Sequence, residues 1–141
     1  MSFYGIRRNG SQSKYGNKKV TCFGITFDSS RERDRYLVLR EAQEKGIITN
    51  LKLQERFELL PAIKESVVTH HKTKDNIEER TVQLPITYKC DFQYEKDGVV
   101  VVEDVKISKS LIPKEFALKE KMFRYKYGFP IRKVFKANEP I

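Results

Sequence analysis

The segment Tyr94-Glu95-Lys96-Asp97-Gly98-Val99 constrains this chain more than any other. Asp-Gly between alternating or β-branched runs specifies a two-residue type I′ hairpin. With Asp97-Gly98 as the loop, Lys96 pairs with Val99, and counting outward sets Phe92 opposite Glu103, Asp91 opposite Asp104 and Lys89 opposite Lys106. Like charges facing one another destabilise a ladder. Two carboxylates roughly 5 Å apart at the backbone therefore need something between them, and a divalent cation is the usual answer. Lys106 shares the face of Asp104, because side chains two apart in a strand point the same way. A loop one residue longer or shorter would face Asp91 with Val105 or Glu103 instead, so Glu103 is kept as a reserve ligand. The apolar pattern favours the first register: Tyr88, Cys90, Phe92 and Tyr94 then share a face with Val99, Val101, Val105 and Ile107, with Glu103 as the one misfit.

Around this hairpin the remaining elements follow from punctuation and periodicity. Val20 to Phe27 alternates and breaks at Phe23-Gly24, which suggests a short hairpin. From Ser30 to Lys45, Tyr36, Leu37, Leu39 and Ala42 mark a helix that stops at Gly46. Ile47 to Leu60 reads as strand, with Leu51, Leu53, Phe57 and Leu59 alternating against polar residues until Pro61. Residues 62–83 are mostly polar and read as a hairpin extension or loop. Pro113 suits the opening of a second helix, in which Phe116, Phe123 and Tyr127 fall on helical spacing before Gly128. Ile131 to Phe135 supplies a last strand. This order predicts a mixed sheet covered by helices, an α/β fold in one domain over 18–141, preceded by a flexible basic arm over 1–17.

Composition excludes several classes. At 141 residues and 39% hydrophobic, the chain is expected to build one small core, with no apolar run of membrane-spanning length and no apolar leader in the first 20 residues. Cys22 and Cys90 are too few and too far apart for a zinc motif or a disulfide framework, so a reducing cytoplasm is the expected compartment. His70-His71 lacks zinc-ligand spacing and reads as part of a polar loop. The net charge of +9 gathers at the two ends: residues 1–20 hold five Lys or Arg and no acid, and residues 105–141 hold ten against three acids. An acidic centre flanked by basic surfaces suits a phosphate-rich partner, and aromatics interleave with the charge in Arg124-Tyr125-Lys126-Tyr127. Lys119, Lys121 and Arg124 on the second helix are candidate phosphate contacts, and any one of them could equally be surface charge.

An Asp at the end of a strand, then an acid thirteen positions later, one hydrophobic residue and Lys, resembles the PD-(D/E)xK nuclease superfamily. The order of elements is similar to a small phage and prophage family and to phage and archaeal Holliday-junction resolvases. The likeness runs over most of residues 14–136. Lys14 to Lys19, Gly24 to Ser29, Leu53-Gln54-Glu55-Arg56-Phe57, Val102-Glu103-Asp104-Val105-Lys106 and the helix end Phe123 to Gly128 carry it. Cys90 stands where the superfamily name has proline, and Asp104 is the shorter of the two permitted acids.

The resemblance implies a restriction-endonuclease-like core and hydrolysis of a DNA phosphodiester with Mg2+, for which Mn2+ would substitute. It implies that Asp91, Asp104 and the Val105 carbonyl hold the metal, and that Lys106 orients the attacking water or offsets transition-state charge. Glu32 matches the superfamily's first-helix glutamate, which would reach a second metal or an ordered water, but Ser29-x-x-Glu32 is also a capping box, and both readings stay open. Gln54 matches a recurring accessory glutamine. Branched DNA is the leading substrate, and the symmetry of a four-way junction calls for a homodimer. Two alternatives remain: a nicking or end-processing nuclease without junction selectivity, and a non-catalytic nucleic-acid-binding accessory protein.

Overall fold

The computed structural model describes residues 18–141, so the arm expected over 1–17 lies outside the described residues. The Asp97-Gly98 turn forms as the sequence demands: both residues have positive φ, 51° and 76°, the backbone of a type I′ turn. It joins strand β8 (Phe92–Lys96) to β9 (Val99–Val105), counting β1 as Val20–Cys22, β2 as Ile25–Phe27, β3 as Thr49–Leu53, β4 as Arg56–Leu60, β5 as Ile63–His70, β6 as Asp75–Gln83 and β7 as Ile86–Lys89. Lys96 faces Val99 and Phe92 faces Glu103, the expected register residue for residue.

β9 pairs in parallel with β10 (Arg132–Val134), and β8 pairs antiparallel with β3, giving a mixed four-stranded sheet in the order β10-β9-β8-β3. The fold is thus mixed α/β, rich in strand, with the parallel and antiparallel pairs the sequence predicted. Helix α1 (Ser30–Glu44) covers one face of this sheet, where Tyr36, Leu39 and Ala42 bury against Phe27, Ile48, Phe92 and Tyr94. Helix α2 (Lys114–Tyr127) covers the other face, where Phe116 and Phe123 meet Val102, Cys90, Tyr88 and Ile131. Val101 and Val102 go to opposite layers, as neighbours in a strand must. Among the described residues, no helix is long and apolar enough to cross a membrane.

Local chemistry explains the helix ends. Ser29 Oγ accepts from the Glu32 amide and the Glu32 carboxylate accepts from Ser29 Oγ and the Asp28 amide, a capping box at α1. At its other end, Gly46 with φ 74° allows Gly46 to donate to the Gln43 carbonyl and Ile47 to the Ala42 carbonyl. Pro113 occupies the N-cap of α2 rather than its first turn, a one-residue shift, and Gly128 with φ 82° ends that helix.

One expectation fails in an instructive place. Tyr88 and Cys90 do not share a layer with Phe92 and Tyr94; they pack on the α2 side. The strand run breaks at Cys90-Asp91 into β7 and β8, and the facing run breaks at Gln54-Glu55 into β3 and β4. Gln54 adopts φ 55°, and the two kinks are tied by bonds from the Gln54 amide to the Asp91 carbonyl and from the Cys90 amide to the Glu55 carbonyl. Side-chain alternation crosses from one core to the other at this double kink. Lys89 accordingly faces Arg56 in β4 and not Lys106. Beyond Pro61 and Pro85, which cannot donate to a ladder, the same nested hairpin continues as the β5–β6 ribbon.

Candidate active site

Asp91 sits at the kink, one residue past the last ladder pair of β8 and β9. Its amide donates to the Glu103 carbonyl (3.2 Å), its carbonyl accepts from Gln54, and its carboxylate Oδ2 accepts from the Val105 amide at 2.7 Å. The bend that the hairpin count did not foresee is what turns the Asp91 carboxyl toward β9. Asp104 is buried beside it, with Oδ1 at 2.6 Å from Lys106 Nζ and Oδ2 accepting from the Tyr88 hydroxyl at 2.6 Å. Lys106 Nζ also stands 3.8 Å from the centre of the Phe116 ring. Both a carboxylate and an aromatic face therefore hold the ammonium in place.

Electrostatics record how close the acids are. Burial, then the charges of Asp104 and Glu32, push the Asp91 carboxyl up to about 8, against the opposing pull of the Val105 amide and Lys106. Glu32 is also raised, chiefly by burial, with Asp28 and Asp104 adding to it. Tyr88 is held far above its usual value by burial and by the adjoining Asp104, so it remains a hydrogen-bond donor. Burial takes the Cys90 thiol up to about 12, which leaves it a packed, unreactive side chain.

Two hollows meet at Lys106. One, of about 420 Å³, is lined by Lys18, Ser29, Ser30, Arg31 and Glu32 on the α1 side, and by Val105 and Lys106. The other, of about 300 Å³, is lined by Tyr88, Lys89, Asp104, Lys106, Phe116 and Lys119 on the α2 side. Lys106 borders both.

The structure thus brings Asp91, Asp104, Val105 and Lys106 together and sets Glu32 and Lys119 at the margins. Glu32 is engaged in the capping box; its charge raises the Asp91 carboxyl, and the charge of Asp104 raises its own. Lys119 pairs with Glu115 at 3.0 Å. Gln54 contributes its backbone to the kink. Lys121 and Arg124 are exposed, Lys121 on the side of α2 away from Phe116 and Phe123.

Glu103, the reserve ligand, is not part of this cluster. It points to the opposite face, where Arg35 clasps it through Nε (2.9 Å) and Nη2 (2.7 Å), Tyr94 donates to it at 2.6 Å and Arg132 lies at 3.4 Å. A neighbouring strand residue cannot reach the same side as Asp104. Sequence reading missed both Arg35 and Tyr88. Arg35 at the core-facing spacing of α1, with Tyr36, Leu39 and Ala42, was the available signal that a buried acid must be near.

Among the described residues, no group of three or more His, Cys, Asp or Glu gathers closely enough to form a complete metal cage. The donors present, two adjacent carboxylates and backbone oxygen, are the hard ligands that suit magnesium, which is commonly bound through one or two carboxylates with water filling its other positions. Asp91 and Asp104 fit such an ion, since a cation between them would offset the burial and the neighbouring charge that together raise the Asp91 carboxyl.

No curated protein and no solved structure matches the chain. A family model described as a protein of unknown function (DUF1064) matches residues 12–137, nearly the whole chain. The chain belongs to the DUF1064 family.

Proposed function

We propose that this protein is a metal-dependent DNA endonuclease with a restriction-endonuclease-like core, selective for branched DNA such as a Holliday junction. The observation that carries this reading is Asp91 beside Asp104, with Lys106 salt-bridged to Asp104 at the meeting of two hollows. Two acids that repel and a lysine on the same face form a poor structural device but a good phosphodiester site. Asp91, Asp104 and the Val105 carbonyl would hold Mg2+ or Mn2+, with Glu32 reaching a second ion or an ordered water. The ion would supply a polarised phosphate and a bound water of lowered pKa. Asp91 would give up its proton when substrate and ion enter. Lys106, held by Asp104 and Phe116, would orient the attacking water and offset charge gathering on the phosphate. Lys119 lines the same cleft and would hold a neighbouring phosphate.

Cleaving both sides of a four-way junction requires two sites, so the acting form would be a homodimer in the cytoplasm of a bacterium or an infected host. A labelled junction and its matching linear duplex, incubated with magnesium or EDTA, test the reading. Paired symmetric nicks in the junction only, lost with EDTA and in Asp104→Ala, are expected. Cutting of both substrates would leave a nicking or end-processing nuclease without junction selectivity.

One observation favours a second reading. The Asp104 oxygens are already taken by Lys106 and Tyr88, and Asp91 Oδ2 by the Val105 amide. A non-catalytic nucleic-acid-binding protein could keep these acids as an internally satisfied network. It would bind DNA without a metal requirement and would not cut under any divalent ion.

A further inference from the structure

The β5–β6 ribbon is the least explained part of the molecule. Every residue of β5 and all but one of β6 are exposed, and among the described residues the two strands pair only with each other. An isolated two-stranded ribbon is marginally stable in water, and its open edges invite another strand. It also shows apolar side chains to solvent: Val67 is 40%, Val68 49% and Ile77 75% exposed.

Charge identifies the occupant. The whole chain carries +9, yet between Ile63 and Gln83 four lysines and arginines are matched by four acids. A phosphate-binding arm would not carry Glu78 and Glu79 along its outer strand, so the ribbon suits protein better than nucleic acid. Charge on an exposed edge ordinarily discourages pairing. Along β6, however, Glu78 and Arg80 lie symmetrically about Glu79. Two copies of β6 laid antiparallel about that residue put Glu78 of each opposite Arg80 of the other, on a single face, as a two-fold axis through the sheet requires. No such pairing arises along β5, where a two-fold about Val67 sets Glu65 against Thr69.

We infer that the outer edge of β6 is the contact through which two copies of this chain associate, joining two ribbons into one four-stranded sheet. Cross-strand opposite charges stabilise it, and Ile77 gains a lateral neighbour in Thr81 of the other copy. The central Glu79 meets its own copy, a repulsion moderated by Lys64 at 3.8 Å within each ribbon. Association through β6 does not depend on what Asp91 and Asp104 do.

The test is the mass of the full chain by light scattering over a concentration series. Wild type is expected to reach twice the monomer mass. Arg80→Glu and Glu78→Arg should each be monomeric, because each sets like charges against one another at both symmetric positions. Mixed in equal amounts, these two variants should recover the doubled mass, since every facing pair is again opposite in sign. Glu79→Gln should tighten the dimer. A wild-type monomer at about 100 µM, where association with a Kd of about 1 µM would be nearly complete, overturns the inference. So do single reversals that leave the dimer intact, or a mixture that stays monomeric. Loss of DNA binding in these variants with no change of mass would assign the ribbon to nucleic acid instead.

Discussion

Asp91 is the residue on which the proposed chemistry turns, and its protonation makes it measurable without any substrate. In the folded protein burial and two neighbouring acids hold its carboxyl up to about 8, whereas the ordinary value is 3.8. Between those two values the folded state binds more protons than the unfolded state, so this group makes stability fall as pH rises. Metal-free protein should therefore lose stability from about pH 4 to about pH 8 on its account. Asp91→Asn keeps an oxygen for the Val105 amide and removes the charge. It is expected to flatten that slope and to raise stability at pH 8 by a few kcal/mol in urea titrations. Calcium added at pH 8 should raise the Tm of wild type and leave that of Asp91→Asn unchanged. A wild-type Tm that ignores divalent ions would remove the metal from the proposal while leaving the acid pair as described.

At the level of elements, the tight turn was legible and the kink was not. Asp97-Gly98 dictates its own backbone, so the β8–β9 register up to Phe92 and Glu103 followed from local chemistry, and it brought Asp91 and Asp104 to the same end of the hairpin. The helices were legible from Ser29, Gly46 and Gly128 for the same reason. Nothing in Tyr88 to Tyr94 announces the break at Cys90-Asp91, because the alternation continues through it and only the partner strand, bent at Gln54, shows where the layers exchange. Gln54 in a left-handed conformation costs about 1–2 kcal/mol relative to glycine. Gln54→Gly should thus leave stability within about 1 kcal/mol of wild type, as relieved strain and added unfolded-state freedom offset each other. A drop in cleavage without a drop in stability would give the Gln54 side chain a role in the cleft. The other hidden element is the Arg35–Glu103 tie between α1 and β9, both side chains fully buried. Arg35→Met leaves the buried Glu103 carboxylate with only the Tyr94 hydroxyl and the more distant Arg132, and should destabilise the protein by about 3 kcal/mol. Arg35→Met with Glu103→Leu should recover most of that loss. Equal damage in the single and double variants would show that the two side chains do not act as a pair.

Across the whole molecule, charge and site have to be read together, because basic residues at different distances from the acids do different work. Lys119 lines the hollow that contains Asp104 and Lys106, whereas Lys121 and Arg124 project from α2 into solvent. In the proposed nuclease a phosphate held at Lys119 would be next to the bond that breaks, so its contribution would be concentrated where charge develops. Contacts at Lys121 and Arg124 would only hold DNA, strengthening ground state and transition state equally. Lys119→Ala should accordingly lower the single-turnover cleavage rate by about 10- to 100-fold with a small effect on affinity. Lys121→Ala and Arg124→Ala should weaken binding, leave the rate of bound substrate near wild type, and each reduce the slope of log affinity against log salt by about 1 if the residue neutralises one phosphate. The slope decides between contact and solvated charge: a surface lysine that only confers solubility leaves it unchanged. If neither variant alters the slope, the outer face of α2 does not meet the DNA backbone, and the α1 side, where Lys18 and Arg31 line the larger of the two hollows at Lys106, is the next surface to substitute.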